Sequence, residues 1–224
     1  MTFPWEQSMR IISVTKKDAD NFVVNKHYSR RASIFWAAFG LVENAQLTGV
    51  VVYGQPSPPV QRSAFENRNF RLYELCRLVV QSKTKNAASF LVGNSLKKLE
   101  RPSAVVSYAD SEWHHCGIVY QATNWLYTGA TVSHDHVYII DGRRVHPITV
   151  RDKFGIKDPK RWAKENNIQT LKPMPKHRYF FFNGNRLQRK DMRAKLRYAI
   201  NNNYPKCDAQ RYDDGPQLNV GVAT

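Results

Sequence analysis

Asp110 follows an apolar run, Ala104 to Tyr108, that reads as a short buried strand. Its carboxylate therefore stands at the carboxyl end of a sheet, where α/β proteins bind ligands. A carboxylate there can hold a metal, orient a base or accept the proton of an exocyclic amine. The structural alternative is capping of the helix expected over Gly117 to Trp125, from which Trp113 to Cys116 separate it. His27, near the end of a helical segment, offers a titratable imidazole as general base or metal ligand, or stands there as a solvated terminal histidine. Tyr120 and Asn124 are one helical turn apart, so the spacing points both into one pocket. An amide pairs bidentately with an adenine edge, and an aromatic ring stacks on a base lifted out of a duplex. Trp125 adds a further ring there, or packs the core.

Phe70 to Val80 alternates as a strand with Glu74 on one face and Arg77 on the other, so the two form no local pair and each needs its own partner. Arg77 suits a cofactor phosphate or a DNA phosphate, or an ion pair to a helix on its face. Ser107 and Tyr108 likewise face opposite sides, and only one can line a given cleft. Trp113-His114-His115-Cys116 groups two imidazoles and a thiol, but adjacent residues rarely chelate together. His134 and His136 flank Asp135 in an expected hairpin, as a metal candidate or as ordinary turn residues.

These groups need a frame. Arg10 to Thr15 reads as a strand, and Lys16 to Tyr28 as a helix capped by Thr15. Ile34 to Val42 and Leu47 to Tyr53 form a hairpin about Glu43 to Gln46, and Gln55 to Pro59 stops the sheet. Ala87 to Glu100 is helical and ends before Pro102. Ala130 to Val132 and Val137 to Ile140 are expected to pair about Ser133 to His136. Residues 151–169 read as a short helical insertion, Arg178 to Phe182 as a strand, Asp191 to Tyr198 as a basic helical turn, and Gly215 to Thr224 as a frayed tail.

The chain has 224 residues and 34 Lys+Arg against 18 Asp+Glu, a formal charge of +16, with enough apolar content (42%) to exclude a disordered polycation. Residues 1–150 carry +6 and residues 151–212 carry +12. Charge of that density attracts polyanions, which makes nucleic acid the leading partner, with double-stranded DNA the form expected; an anionic cofactor, a membrane surface or a plain solubility face are the alternatives. Trp162, Tyr179 to Phe182, Tyr198 and Tyr204 interleave the cations, and Lys160, Arg161, Lys164, Arg186, Arg189, Lys190, Arg193 and Arg197 are the expected phosphate contacts. No run approaches the roughly 18 apolar residues of a membrane span, and the start lacks a signal-peptide core, so no membrane association is expected. Cys76, Cys116 and Cys207 are isolated and odd in number, which favours reduced thiols.

The order β-α-β-β-β-α-β-α-β-β resembles the GCN5-related N-acyltransferase layout, a mixed α/β (α+β) fold. The resemblance implies that the strands at Tyr73–Val80 and Ala104–Tyr108 splay to admit the pantetheine arm of an acyl-CoA. It places the pyrophosphate at the next helix start, where unpaired N–H groups bind anions. Gln81 to Ser89 lacks the family's glycine-rich loop, and Lys83, Lys85 and Ser89 stand there to meet a phosphate. Asn25-Lys26-His27-Tyr28-Ser29, Tyr73-Glu74-Leu75-Cys76-Arg77-Leu78, Ser107-Tyr108-Ala109-Asp110 and Gly117 to Trp125, with Lys176 to Tyr179 and Tyr204-Pro205-Lys206, are similar to the Mom-type DNA adenine-modification proteins of Mu-like phages. That likeness covers about Arg10 to Lys206. It implies conversion of adenine N6 in DNA to a carbamoylmethyl derivative that protects phage DNA from restriction, in the cytoplasm of the infected bacterium. It further implies acetyl-CoA or another acyl-type donor, and iron as the metal; with iron present, His27 and Asp110 are the preferred ligands, because imidazole and oxygen donors suit non-haem iron. His27, Tyr28, Ser107, Tyr108, Asp110, Tyr120 and Asn124 are then the catalytic candidates, and Arg77, Lys83, Lys85 and Ser89 the donor-binding ones. The expected organisation is a catalytic core over 1–150, a basic DNA-binding extension over 151–212 completing the same domain, and a tail over 213–224. An ordinary CoA-dependent N-acyltransferase acting on a protein or small-molecule amine, and a non-catalytic nucleic-acid-binding protein, are the alternatives.

Overall fold

The computed structural model describes residues 9–26, 34–131 and 136–207. His27, Tyr28, His134, Asp135 and the 213–224 tail lie outside them. Strand β1 (Met9–Ser13) leads into helix α1 (Lys16–Lys26), whose first turn is capped as expected: Thr15 Oγ1 accepts from the Asp18 N–H at 3.2 Å. Strands β2 (Ala37–Glu43) and β3 (Gln46–Gly54) form the expected hairpin, with Asn44 and Ala45 at φ 48° and 62° supplying the left-handed pair that a two-residue turn requires. The Pro-rich stop carries a short helix, α2 (Pro58–Ser63), started by proline at its first turn. Strand β4 (Arg71–Val80), helix α3 (Ala87–Lys98) and strand β5 (Ser103–Asp110) make a β-α-β unit, followed by one 3-10 turn at Ser111–Trp113 and helix α4 (Ile118–Ala122).

Strand β6 (Leu126–Ala130) belongs to the main sheet, whereas β7 (Val137–Ile140), β8 (Arg143–Val145) and β9 (Thr170–Leu171) form a separate three-stranded sheet. The hairpin expected between Ala130 and Val137 is therefore corrected: each strand finds its partner elsewhere, β6 on β10 and β7 between β8 and β9. Helices α5 (Pro147–Phe154) and α6 (Pro159–Glu165) pack on the small sheet through Val150 and Ala163. Strand β10 (Lys176–Asn183) and helix α7 (Arg186–Lys195) follow. Helix α7 starts five residues before the basic turn expected at Asp191, because Asn185 and Gln188 close a reciprocal capping box.

The main sheet has the order β1-β2-β3-β4-β5-β10-β6, mixed, with β4 and β5 its parallel pair and α3 their crossover. Helices α3 and α4 cover one face; α1, α2 and α7 cover the other. Strand β10, drawn from the basic region, pairs with β5 over all eight residues and with β6 on its other side. Beneath α2 and α7, the rings of Phe70, Phe180 and Phe182 meet Phe65 at centroid distances of 5.0, 5.7 and 6.1 Å, and Met192 seals them from α7.

Cys116 and Cys207 are joined by a disulfide, which overturns the expectation of reduced thiols for that pair; Cys76 is free. They stand 91 positions apart, a separation that spacing rules do not read. The C-terminal segment is brought back by contacts of its own: Asn201 N–H donates to Tyr127 O at 2.8 Å, Tyr204 Oη to Trp125 O at 2.7 Å, and Gln121 Nε2 to Pro205 O at 3.2 Å. Among the described residues no helix is long and apolar enough to cross a membrane. Phe180→Ala is expected to cost about 3–5 kcal/mol, read as a lower urea midpoint with unchanged slope, because the void opens inside a fully enclosed ring cluster.

Candidate active-site cleft

Strand β4 carries one residue too many for its partner β3. Val52 stands opposite Arg77 and Tyr53 opposite Leu75, so Cys76 is the extra residue of a bulge. The bulge reverses the alternation. Tyr73 and Leu75 pack toward α3, and beyond the bulge so do Leu78 and Val80, while Leu72 and Val79 pack on the opposite face. Glu74 and Arg77 consequently share that opposite face, which corrects the strict-alternation expectation that they point apart. Pairing of β4 with β5 runs from Arg71–Ser103 to Glu74–Val106 and ends there. Past that point the two strands part, as the acyltransferase-like layout implied. Three successive carbonyls of β4 at the parting accept from side chains: Glu74 O from Cys76 Sγ (3.3 Å), Leu75 O from Ser107 Oγ (3.0 Å) and Cys76 O from Arg77 Nη1 (2.7 Å).

The face opposite α3 gathers the charges. Tyr108 and Asp110 of β5 stand in register with Arg178 and Lys176 of β10, on the same side as Glu74. Lys176 Nζ lies 2.8 Å from the largely buried Asp110 carboxylate, whose Oδ1 also accepts the Glu112 N–H at 3.1 Å. Asp110 thus caps the turn that directly follows it while holding an ion pair. Arg178 donates to Thr128 Oγ1 (2.9 Å) and Thr128 O (3.0 Å) and sits 3.4 Å over the Tyr198 ring. Burial pushes the Glu74 carboxyl above the usual carboxylate range, against the opposing pull of a Ser57 backbone hydrogen bond, Arg77 and Lys176. Burial likewise raises the Tyr108 phenol and pushes the Cys76 thiol up to about 12. The His115 imidazole is held below its ordinary value by burial, against Asp110.

Ser107 faces the other way, as strand alternation requires, and shares a 2.8 Å hydrogen bond with the Tyr120 hydroxyl. Tyr120 is buried against Trp125 and Tyr179, at 5.0 and 5.2 Å between centroids. Gly117 lets α4 approach this cluster: its φ is 83°, and a Cβ there would stand 2.5 Å from the Tyr179 ring. Helix α4 ends at Ala122, and Asn124 turns left-handed (φ 61°) onto the surface. Tyr120 and Asn124 therefore do not share a pocket; the helical spacing expected across Gly117 to Trp125 breaks two residues before Asn124.

The start of α3 borders the parted end of the sheet. Asn86 is left-handed and gives no side-chain cap, Ser89 Oγ donates to Asn86 O at 3.0 Å, and Lys83 and Lys85 are exposed beside it. The preceding loop is anchored at Glu43. Burial pushes that carboxyl up, but hydrogen bonds from the hydroxyls of Thr48, Ser82 and Thr84 together outweigh it and hold it below the usual range. Lys26 Nζ donates to Gln81 Oε1, so the last residue of α1 is tied to the same loop.

Of the cations expected to touch DNA, Arg186, Arg189, Lys190 and Arg193 line one cavity of about 1040 Å³, with Asn124, Lys97 and Arg101 on its other walls. Lys160, Arg161 and Lys164 lie apart on α6, where Arg161 pairs with Glu165 at 2.7 Å, and Arg197 is exposed where its N–H bonds Ala64 O. Lys176 and Arg178, noted in the sequence only as part of a motif, and Lys97 and Arg101, not noted at all, acquire neighbours only through the β5–β10 register and the end of α3. Among the described residues no group of three or more His, Cys, Asp or Glu is placed to hold a metal, and Cys116 of the Trp113–Cys116 run is committed to its disulfide.

Residues 8–206 match the Mom protein family. The chain belongs to that family. A Mom relative, the methylcarbamoylase of Escherichia phage Mu, is 30% identical over 153 residues, which are 64% of this chain and 62% of that protein, so the match spans less than two thirds of the relative. Solved structures similar to this Mom-family chain include spermidine/spermine N-acetyltransferase SpeG from Vibrio cholerae in complex with manganese ions (11% identity, TM-score 0.45, covering 85% of this chain and 98% of that one). An IAA acetyltransferase from Bacillus cereus is also similar (10% identity, TM-score 0.44, 78% and 99%). Scores of this size carry no argument about chemistry.

Glu74 gives a pH test of the cleft in this Mom-family protein. A carboxyl whose pKa is raised on folding favours the folded state most below its unfolded pKa, and that contribution is lost as pH rises through the folded value. Glu74→Gln removes the dependence, so its melting temperature relative to the parent should climb between pH 4 and pH 8; a constant difference across that range would contradict the buried, raised carboxyl.

Proposed function

We propose that this protein is a DNA-modifying transferase that places a carbamoylmethyl group on adenine N6 in phage DNA. The observation that carries the proposal is the family match across residues 8–206, with a phage relative named a methylcarbamoylase. The cleft supports it chemically. Alkylating an exocyclic amine replaces one N–H by an N–C bond to a methylene carbon, so a proton must leave the nitrogen. Asp110 and Glu74, on one face at the parted end of β4 and β5, are the carboxyls able to receive it. Lys176 and Arg178 balance the charge of that face, and the ring of Tyr108 borders the same opening.

The donor is proposed to be acetyl-CoA or another acyl-type, phosphate-bearing molecule. The residues fit such a group: the parting leaves a gap between two strands, and α3 opens without a side-chain cap beside Lys83, Lys85 and Ser89. Those lysines and the first free N–H groups of α3 would hold its phosphates; attack of the amine on an acyl carbonyl would expel the thiolate and give an amide instead of the N–CH2 bond of a carbamoylmethyl group, so no bond-forming step is drawn through the donor. Iron fits less well. Asp110 is occupied by the Glu112 N–H and Lys176, and His27 lies outside the described residues, so no step is drawn through a metal.

Nucleoside mass spectrometry of DNA from cells expressing the protein tests this. The expected result is an adenine nucleoside heavier by one carbamoylmethyl group, reduced at least roughly 100-fold by Asp110→Ala at equal soluble protein. Unmodified DNA with abundant folded protein would remove the proposal and favour an acyltransferase acting on another amine. A modification that survives Asp110→Ala would instead shift the proton acceptor to Glu74.

A further inference from the structure

Helix α7 is a straight cationic stripe. Arg186, Arg189, Lys190 and Arg193 fall at i, i+3, i+4 and i+7, one face of the helix, while Met192 is buried on the other beneath Phe180 and Phe182. The stripe rises about 10 Å, about three steps of 3.4 Å measured along the axis of a duplex, so it is long enough to meet neighbouring phosphates of one strand. It forms one wall of the cavity of about 1040 Å³; Lys97, from the last turn of α3, and Arg101, just before β5, stand on the facing wall. All six cations are exposed. Among the described residues none of them forms an ion pair, and no acidic side chain lines the cavity. Asp191, the one carboxylate of α7, is held by Lys195 at 2.9 Å, outside the lining. The floor is neutral, with Phe181, Leu126 and the Asn124 amide.

The groove stands at the far end of the sheet from the cleft. Its strand residues reach Asn183, which pairs with Ser103 at the start of β5, whereas Lys176 pairs with Asp110 at the end of β5. Seven residues of strand separate the two levels, roughly 20 Å. The nearest strand residue of its lining, Phe180, is four residues and roughly 13 Å from Lys176, so a group bound in the groove stays clear of the Asp110 carboxylate.

We propose that the groove between α7 and the Lys97–Arg101 turn seats one sugar-phosphate backbone of duplex DNA, as a docking rail remote from the cleft where modification occurs. The proposal rests on the DNA reading of the preceding subsection and narrows it: the cations of α7, not those of α6, carry the backbone contacts. Helix α6 packs on the small sheet, lines no part of the groove, and has Arg161 tied to Glu165. Arg–phosphate and Lys–phosphate contacts along one strand fix position without reading sequence, so the rail serves any target context equally.

The test is binding of a short fluorescein-labelled DNA duplex to the full-length protein over a range of salt. Each phosphate contact removed makes the slope of log K against log salt shallower by about 0.9. Arg189→Ala/Lys190→Ala/Arg193→Ala is expected to flatten the slope by about 2 to 3 and to weaken binding similarly for unrelated sequences. Lys160→Ala/Arg161→Ala/Lys164→Ala should leave the slope in place. Lys97→Ala/Arg101→Ala, on the opposite wall, repeats the measurement should the α7 variant fail to fold by circular dichroism. Unchanged slopes for the groove variants, or an equal loss in the α6 variant, would overturn the proposal. Competition by duplex RNA as strong as by duplex DNA would overturn the assignment to DNA. The two readings fail separately: groove variants that lose duplex binding in a protein that never modifies DNA leave the rail standing and remove only the modification.

Discussion

The parting of β4 from β5 after the Glu74–Val106 pair is the constraint on which the remaining architecture turns. A parallel pair that opens in mid-sheet leaves backbone groups that need partners, and buried unpaired ones are costly. Cys76, Ser107 and Arg77 answer three carbonyls of β4, while the bulge at Cys76 swings Arg77 round to the side of Glu74. The same bulge lets Leu78 and Val80 stay in the α3 core after the parting. One extra residue thus preserves the packing beneath the parted strand and brings two charges to one side.

The electrostatics follow from that geometry. At the open end acids and bases are mixed: Glu74 and Asp110 face Arg77, Lys176 and Arg178, and burial moves Glu74 and Tyr108 toward their neutral forms. In the groove at the closed end the lining charge is of one sign and exposed, which suits an extended polyanion better than a reaction. The large formal charge of the chain is therefore unevenly placed, in balanced pairs at the open end and as unpaired cations along the groove.

Much of the frame was legible in the sequence. The Thr15 cap, the Asn44–Ala45 turn, the strand over Arg71–Val80 and the helix after it each rest on local chemistry that neighbours in the chain supply. What escaped depends on partners far along the chain. Strict alternation put Glu74 and Arg77 on opposite faces because a bulge is defined only by the opposing strand. The Cys116–Cys207 pairing needs residues 201–207 folded back over Trp125 and Tyr179, and Lys176 and Arg178 acquire meaning only once β10 lies beside β5. The grouping of the candidate residues was less legible: Asp110 and Tyr108 share one face, but Tyr120 and Ser107 belong to the interior of the other, and Asn124 to a different end of the molecule.

The place of β10 also shapes how the protein is made. The strand lies between β5 and β6, yet it begins 66 residues after β5 ends, on the far side of the small sheet and its two helices. Until Lys176–Asn183 has emerged, β5 lacks its antiparallel neighbour and exposes an edge of apolar residues, the condition under which nascent strands pair with the wrong chain. The late arrival of one central strand makes the main sheet a structure completed from the C-terminal side. Its assembly waits on a long-range closure rather than on the local hairpin at its other end, which places synthesis of the last fifth of the chain ahead of any stable cleft.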